Sequence, residues 1–191
     1  MDNKLKIINH LGKNPHRTFT MNELSKALSI PYASFHRTIQ TMKELLLIEK
    51  IGKAITLKLN MANQVIQAYL AIASEEEKNI FIKKQHIIRI IQKDLITQDV
   101  VLLFGSYAKS EESPRSDIDL IVINKTGKKT LSFSKYEVLH NKEINPIYFT
   151  EQEFKQMLKD KEENVGKQAL KGHIVLNNPK RFWELVLDAI R

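Results

Sequence analysis

The segment from Val100 to Asn124 constrains the fold more than any other part of the sequence. It begins with five apolar residues, Val100–Phe104, and closes with a second apolar run, Leu120–Ile123. Short apolar runs of this kind, bounded by turn residues, are typical of buried strands. The polar stretch that connects the two predicted strands carries the residues that could bind a ligand or take part in catalysis.

Gly105 and Ser106 directly follow the first predicted strand, and residues Tyr107 to Glu112 can form a short helix. A strand that turns through Gly-Ser into a helix exposes several backbone N–H groups, which favour a phosphate. Glycine allows the backbone to approach a ligand closely, and the Ser106 hydroxyl can donate or accept a hydrogen bond. The pattern therefore predicts a phosphate-binding turn.

Asp117 and Asp119 open the second predicted strand. Residues two apart in a strand point to the same face, so the two carboxylates are expected side by side. Adjacent carboxylates repel each other unless a cation joins them, and Mg²⁺ commonly binds one or two carboxylates together with substrate phosphates. This predicts a metal–nucleotide site suited to phosphoryl or nucleotidyl transfer. The alternative is a surface turn with two solvated aspartates.

The whole segment resembles the nucleotidyltransferase motif of the polymerase-beta superfamily, and it is most similar to the minimal nucleotidyltransferases of archaea and bacteria. The matching residues are Gly105, Ser106, Ala108, Ser116, Asp117 and Asp119. The resemblance implies that Asp117 and Asp119 hold Mg²⁺ or Mn²⁺ and that the substrate is ATP or another nucleoside triphosphate. It also implies a set of nucleotide-binding residues: Gly105, Ser106, Lys109 and Ser116.

One departure from the family pattern follows the alanine, where the family usually has Arg-Gly and this chain has Lys109-Ser110. Lys109 keeps the positive charge but lacks the bidentate geometry of a guanidinium group. Without the glycine, Ser110 is expected to hold a backbone conformation that glycine normally adopts.

The larger departure concerns the third carboxylate that the family carries on a later strand. The matching strand is predicted at Lys142–Phe149, and the position falls on Asn145. An asparagine can ligate a metal through its amide oxygen but cannot act as a base. Glu143, two residues earlier on the same face, is the alternative third ligand.

Two functions are consistent with these residues. The first is a nucleotidyltransferase that transfers a nucleoside monophosphate to an unknown acceptor, either a protein or a small molecule. The alternative is a catalytically weak or inactive nucleotide-binding transcriptional regulator.

Residues 1–60 show the pattern of a small helical domain followed by a hairpin. The sequence predicts a helix at Lys4–Leu11, a second helix with a capping box formed by Thr20 and the glutamate three residues later, and a third at about Tyr32–Leu46. Two short strands follow around Gly52-Lys53. This order resembles a winged helix-turn-helix, which implies a third helix in the DNA major groove. The alternative is a protein–protein or dimerisation module.

The charge distribution favours a polyanionic partner for this part. The chain contains 30 Lys and Arg and 22 Asp and Glu, and residues 1–60 hold ten of the former but only four of the latter. An excess of basic residues in a small domain is typical of phosphate-backbone binding. The DNA-binding candidates on the third helix and the wing are Tyr32, Ser34, His36, Arg37, Gln40, Lys43, Lys50 and Lys53.

The expected fold class is α+β. The predicted organisation is a winged helix-turn-helix domain at 1–60, a helical connector at 61–95, and a nucleotidyltransferase α/β domain with a mixed sheet at 96–191. Within the connector, Ser74 is expected to cap a new helical stretch that begins with three glutamates.

The composition excludes several classes of protein. The chain has no cysteine, so disulfides, thiolate zinc sites and cysteine nucleophiles are absent. No run of apolar residues is long enough to cross a membrane, and no signal peptide is recognisable. We therefore expect a cytoplasmic protein without a membrane partner. Because winged helices commonly dimerise, a homodimer is also expected.

Overall fold

The structure is a computed structural model that describes every residue of the chain except Lys53. The chain divides into two compact units, Met1–Ala73 with Arg191, and Ser74–Ile190. The division falls within residues 61–95, the segment interpreted from the sequence as a connector. Among the described residues, no helix combines the length and apolar character that a membrane-spanning helix requires.

Among the described residues, the first unit contains three complete helices, the start of a fourth helix, α4 (Ile66–Phe81), and an antiparallel three-stranded sheet. The complete helices are α1 (Asn3–Lys13), α2 (Met21–Ala27) and α3 (Tyr32–Thr41), and the strands are β1 (Phe19–Thr20), β2 (Leu46–Ile51) and β3 (Ala54–Leu59). The strand order is β1-β3-β2. Phe35 of α3 and Leu24 of α2 are fully buried, because α2 packs against β1 and β3 and α3 packs against α1 and α2. The order of elements matches the prediction for residues 1–60, with β1 added, and the winged-helix identification stays a prediction.

The capping box at the start of α2 is confirmed. The Thr20 hydroxyl accepts a hydrogen bond from the Glu23 N–H at 3.2 Å, and the Glu23 carboxylate accepts one from the Thr20 N–H at 3.4 Å. The two reciprocal bonds satisfy backbone donors that a helix start leaves unpaired.

The predicted end of the third helix at Leu46 is wrong, because α3 ends at Thr41. The Thr41 hydroxyl donates to the Thr38 carbonyl, and the Met42 N–H donates to the Ile39 carbonyl, which tightens the last turn. A 3₁₀ turn at Lys43–Leu45 follows, and β2 begins at Leu46.

The second unit is built around a four-stranded sheet. Its strands are β4 (Val100–Phe104), β5 (Ile118–Asn124), β6 (Ile144–Thr150) and β7 (Ile174–Asn177), and its helices are α5 (His86–Lys93), α6 (Gly105–Lys109), α7 (Ser134–His140), α8 (Glu151–Lys159), α9 (Val165–Lys171) and α10 (Pro179–Ile190). The strand order is β6-β5-β4-β7, with β5 and β6 parallel and the other pairs antiparallel. The predicted mixed sheet is therefore confirmed.

The two central strands are buried on both faces, which explains their nearly continuous apolar sequence. On one face, Val101 and Leu103 pack with Ile88 of α5 and Tyr136 of α7. The helices α8 and α10 pack against the sheet and against each other. These helices cover the sheet whose strand β5 carries Asp119 near its amino end.

The expectation that Ser74 caps a new helix is wrong. One continuous helix, α4 (Ile66–Phe81), runs through this position. The Ser74 side chain is fully buried and accepts a hydrogen bond from the Trp183 indole N–H at 2.8 Å. Its hydroxyl therefore serves a tertiary contact, not a helix start.

Candidate active site

The turn between β4 and α6 requires glycine for two reasons. Gly105 has a φ of +71°, which lies in the left-handed region. A Cβ atom at this position would also lie 2.3 Å from the Asp119 Oδ2 atom. The absence of a side chain therefore lets the Asp119 carboxylate rest directly against the turn that the sequence predicts to bind phosphate.

The strand register explains this contact, because Phe104 at the end of β4 pairs with Asp119 near the start of β5. Asp117 lies just before β5 and is exposed, whereas Asp119 is half-buried. Burial raises the pKa of the Asp119 carboxyl, and the negative charge of Asp117 raises it further. The two predicted metal-binding aspartates are thus close enough to interact unfavourably.

The described residues provide no partner that would compensate this repulsion. In the described part of the chain, neither carboxylate accepts a hydrogen bond or forms an ion pair. Partly buried carboxylates are normally paired or hydrogen-bonded. The pair is therefore suited to receive a cation.

The neighbouring strand brings an amide to the same place. Asn145 of β6 pairs in register with Asp119, and the Ile118 N–H donates to the Glu143 carbonyl at 2.9 Å. Glu143 is exposed and lies just before β6. No group of three or more His, Cys, Asp and Glu side chains that could hold a metal exists among the described residues. The Glu143 side chain does not form such a group with the two aspartates.

The available donors are therefore two carboxylates, Asp117 and Asp119, and the amide oxygen of Asn145. These are hard oxygen ligands, which Mg²⁺ and similar cations prefer when substrate phosphates complete the coordination. The side chains at the site fit a divalent cation of this type, with fewer negative charges than three carboxylates would supply.

The residues around α6 show the expected backbone strain. Ser110 follows the helix with a φ of +56°, so it holds the glycine-like conformation predicted from the Lys109-Ser110 substitution. Lys109, at the end of α6, is exposed. The Ser116 hydroxyl accepts a hydrogen bond from the Ser113 N–H at 2.9 Å, so its side chain stabilises the loop that leads to Asp117.

Sequence reasoning missed Lys142, which contacts this loop from the segment before β6. Its ammonium group donates to the carbonyl oxygens of Pro114 and Ser116, the latter at 3.2 Å. No sequence motif marks the residue, because its partners are backbone atoms more than twenty residues away.

The predicted DNA-binding residues lie mostly on exposed positions. Tyr32 and His36 stack with ring centroids 6.5 Å apart, and the His36 ring lies 3.3 Å from the Gln40 amide, so they form one row along α3. The basic candidates Arg37, Lys43 and Lys50 are also exposed. Ser34 is half-buried and accepts a hydrogen bond from Asn3 at 3.2 Å. Lys53 lies outside the described residues.

A cavity of about 600 Å³ lies at the carboxyl end of β5, lined by Asn124 and Arg181 among others. The seven residues of β5 span about 20 Å, so this cavity is remote from Asp119. The Arg181 guanidinium is occupied by ion pairs with Glu151 at 2.5 Å and Glu184 at 2.7 Å. This cavity therefore does not contribute to the aspartate site.

The family of the protein follows from a comparison with protein-family models. The model described as "Polymerase beta, Nucleotidyltransferase" matches residues 85–181, which include β4, β5, β6 and β7 and both aspartates. Neither the comparison with curated proteins nor that with solved structures gives a match. Because the matched segment covers half of the chain and contains the whole aspartate site, the protein belongs to the polymerase beta nucleotidyltransferase family.

Proposed function

We propose that the protein transfers a nucleoside monophosphate from a nucleoside triphosphate, such as ATP, to an acceptor that is a protein or a small molecule. The observation that carries this proposal is the contact between Gly105 and the Asp119 carboxylate. The negative charge of Asp117 repels this carboxylate, and none of the described residues forms a hydrogen bond or an ion pair with it. The contact joins a predicted phosphate turn to a pair of carboxylates in one site.

In this proposal each residue has a separate role. Asp117 and Asp119 hold the divalent cation, with the Asn145 amide oxygen as a neutral third donor. The backbone of Gly105 and Ser106 binds the β- and γ-phosphates. The cation, Mg²⁺ or Mn²⁺, supplies charge neutralisation on the phosphates. A hydroxyl oxygen of the acceptor forms a bond to the α-phosphorus and its proton passes to solvent, while the bond from the α-phosphorus to the bridging oxygen breaks and pyrophosphate leaves with that electron pair.

Calorimetric titration of ATP, with and without Mg²⁺, tests this site. We expect Mg²⁺-dependent binding in the wild type and its loss in Asp119→Asn, because the substitution removes one charged ligand. Asp188→Asn is the matched control, since Asp188 is exposed on α10 and remote in sequence from the site. The Mg²⁺ dependence is decisive because removing a negative charge also favours metal-free ATP binding. Equal Mg²⁺-dependent binding in wild type and Asp119→Asn would contradict the site assignment.

Asn145 favours a second candidate function, nucleotide binding without efficient turnover. The residue next to Asp119 on β6 carries no charge and cannot accept a proton from an acceptor hydroxyl. Pyrophosphate release from ATP distinguishes the two candidates. A sensor is expected to bind ATP with Mg²⁺ yet release no pyrophosphate, and Asn145→Asp is expected to restore release. Release by the wild type at an equal or higher rate than Asn145→Asp would support the transferase.

We also propose that the first unit is a winged helix that binds DNA through α3 and the β2–β3 hairpin. The exposed row of Tyr32, His36 and Gln40 and the basic excess of residues 1–60 support this proposal. A random-sequence duplex at low salt is a sufficient probe, because phosphate contacts give sequence-independent affinity.

We expect Arg37→Ala to weaken duplex binding by about fivefold or more and to reduce the salt dependence. Lys6→Ala removes the same charge from an exposed position on α1 and is the matched control. A duplex affinity that does not depend on salt concentration would contradict the proposed interface. An equal loss of affinity in both variants would also contradict it.

A further inference from the structure

We infer that Lys142 is a positioning residue that holds the loop before Asp117 in the arrangement needed to bind the cation. The inference rests on the proposed function, because it concerns the same aspartate site. Lys142 itself contacts neither carboxylate, so it acts through the backbone that carries Asp117.

The backbone places Lys142 firmly. The preceding residue, Asn141, ends α7 in the left-handed conformation with a φ of +47°. The Lys142 N–H donates to the Glu137 carbonyl at 3.3 Å. The sharp end of the helix therefore directs the side chain toward the loop between α6 and β5.

The loop before Asp117 is held from both sides. The Lys142 ammonium group donates to the carbonyls of Pro114 and Ser116, and the Glu143 carbonyl accepts from the Ile118 N–H. Residues on each side of Asp117 are thus attached to two consecutive residues of the segment before β6. Asp117 is exposed and precedes the strand, and among the described residues no ladder bond of β5 fixes it. These flanking bonds take over that role.

The distances show why the lysine supports the site without occupying it. The Lys142 Nζ atom is 3.2 Å from the Ser116 oxygen, so it lies within about 6 Å of the Asp117 Cα atom. Among the described residues, Lys142 forms no ion pair, and its charge is shared by neutral carbonyls and the Tyr107 ring at 5.9 Å. A lysine bonded directly to either carboxylate would take the place of the cation. Lys142 leaves that place open.

A second lysine of the same unit offers a matched control. The Lys167 ammonium group donates to the carbonyls of Asp160 and Glu162, the latter at 3.0 Å. Like Lys142, it is half-buried and attaches a loop through two backbone carbonyls. Its loop lies between α8 and α9 and contains none of the proposed site residues.

The experiment compares Lys142→Met, Lys142→Arg and Lys167→Met with the wild type. Methionine keeps a long flexible side chain but removes the ammonium group. Amide hydrogen exchange without ligand reports on the loop, and calorimetric titration of ATP with and without Mg²⁺ reports on the site. Thermal unfolding checks that each variant is folded.

In Lys142→Met we expect exchange to rise about tenfold in residues 113–118, because the loop opens more often. We expect its Mg²⁺-dependent ATP affinity to fall about tenfold, the size typical when support of a metal ligand is lost. Lys142→Arg is expected to retain both properties, because arginine also donates to carbonyls. Lys167→Met is expected to raise exchange only in residues 160–164 and to leave ATP affinity unchanged.

Each other outcome is decisive. Unchanged exchange or unchanged Mg²⁺-dependent affinity in Lys142→Met overturns the inference while the wild-type binding still supports the proposed function. An equal loss of affinity in Lys167→Met also overturns it, since any loosened loop would then suffice. A wild type without Mg²⁺-dependent ATP binding contradicts the proposed function, and the inference falls with it.

Discussion

The polar side chains at the two ends of β5 differ in their hydrogen bonding. At the carboxyl end, Asn124 is almost completely buried, and its side-chain oxygen accepts hydrogen bonds from the N–H groups of Thr126 at 2.9 Å and Gly127 at 2.8 Å. Its amide nitrogen donates to the Lys128 carbonyl at 3.0 Å. At the amino end, the Asp119 carboxylate is half-buried and has no such partner in the described part of the chain.

One strand therefore carries a polar side chain that stabilises the fold at one end and a polar side chain available to a ligand at the other. A buried side chain whose atoms are all hydrogen-bonded stabilises the fold, because its desolvation is compensated. A half-buried carboxylate without partners destabilises the unliganded fold, and a bound cation would remove this destabilisation. The comparison predicts that substitutions at the carboxyl end change stability alone, whereas those at the amino end change binding.

The largest expected change in stability comes from Asn124→Ala. The substitution removes the partners of two N–H groups and one carbonyl in the loop after β5, at a cost of about 2–3 kcal/mol. The melting temperature is expected to fall by about 5–10 °C, measured by calorimetry. Mg²⁺-dependent ATP affinity at low temperature is expected to stay unchanged, and a loss of affinity would break the comparison.

Gly105→Ala is expected to affect both properties. The added Cβ atom meets the Asp119 carboxylate at 2.3 Å and forces alanine to a φ of +71°, which costs about 1–3 kcal/mol. We expect at least a tenfold loss of Mg²⁺-dependent ATP affinity, because Asp119 or the turn must move.

Gly127→Ala is the control for the glycine substitution at the other end of β5. Gly127 has a φ of +66°, and its added Cβ atom would lie 3.1 Å from the Thr150 side chain. It is expected to lower the melting temperature and to leave ATP affinity unchanged. Equal effects of Gly105→Ala and Gly127→Ala on affinity would mean that backbone strain, not the contact with Asp119, determines binding.

Ser110→Gly is expected to stabilise the protein. Serine in the left-handed conformation is strained, and glycine relieves this strain by about 0.5–1 kcal/mol after its larger unfolded-state entropy is included. The melting temperature should rise by about 2 °C. Asn141→Gly is expected to give a smaller gain, because asparagine tolerates this conformation better. An equal or larger gain at Asn141 would show that Ser110 is not a strained position.

The smallest expected effect is a pH-dependent gain in stability in Asp119→Asn without metal. Burial and Asp117 raise the pKa of the Asp119 carboxyl in the folded state, so its ionised form destabilises the fold. The gain is absent below the ordinary aspartate pKa and complete above the raised value. We expect a rise in melting temperature of about 1–2 °C near neutral pH. The same rise in acid would contradict an electrostatic origin, and exposed Asp188→Asn is expected to show none.

Much of the site could be predicted because its signals are local in sequence. The apolar runs before Gly105 and after Asp119 identify both strands, and the spacing between the glycine and the aspartates identifies the motif. The strain at Ser110 followed from one missing glycine. The close approach of the Asp119 carboxylate to Gly105, where an added Cβ atom would lie 2.3 Å from Oδ2, depends on the register of β4 and β5, which no local pattern specifies.

The features that were missed depend on tertiary contacts. Helix α7 exposes Val138 and Leu139, at 85% and 70%, so its sequence lacks the periodicity that predicts a helix. Lys142 donates to backbone carbonyls, which every residue type has, so no sequence pattern identifies its partners. Ser74 looks like a helix cap, yet its hydroxyl bonds a tryptophan 109 positions later.

That last contact also gives the second unit an intrinsic optical label. Trp183 is the one tryptophan of the sequence, fully buried and hydrogen-bonded to Ser74 within the unit Ser74–Ile190. Its emission therefore shifts to the red when this unit unfolds. Fluorescence compared with circular dichroism, which follows both units, distinguishes one cooperative transition from two.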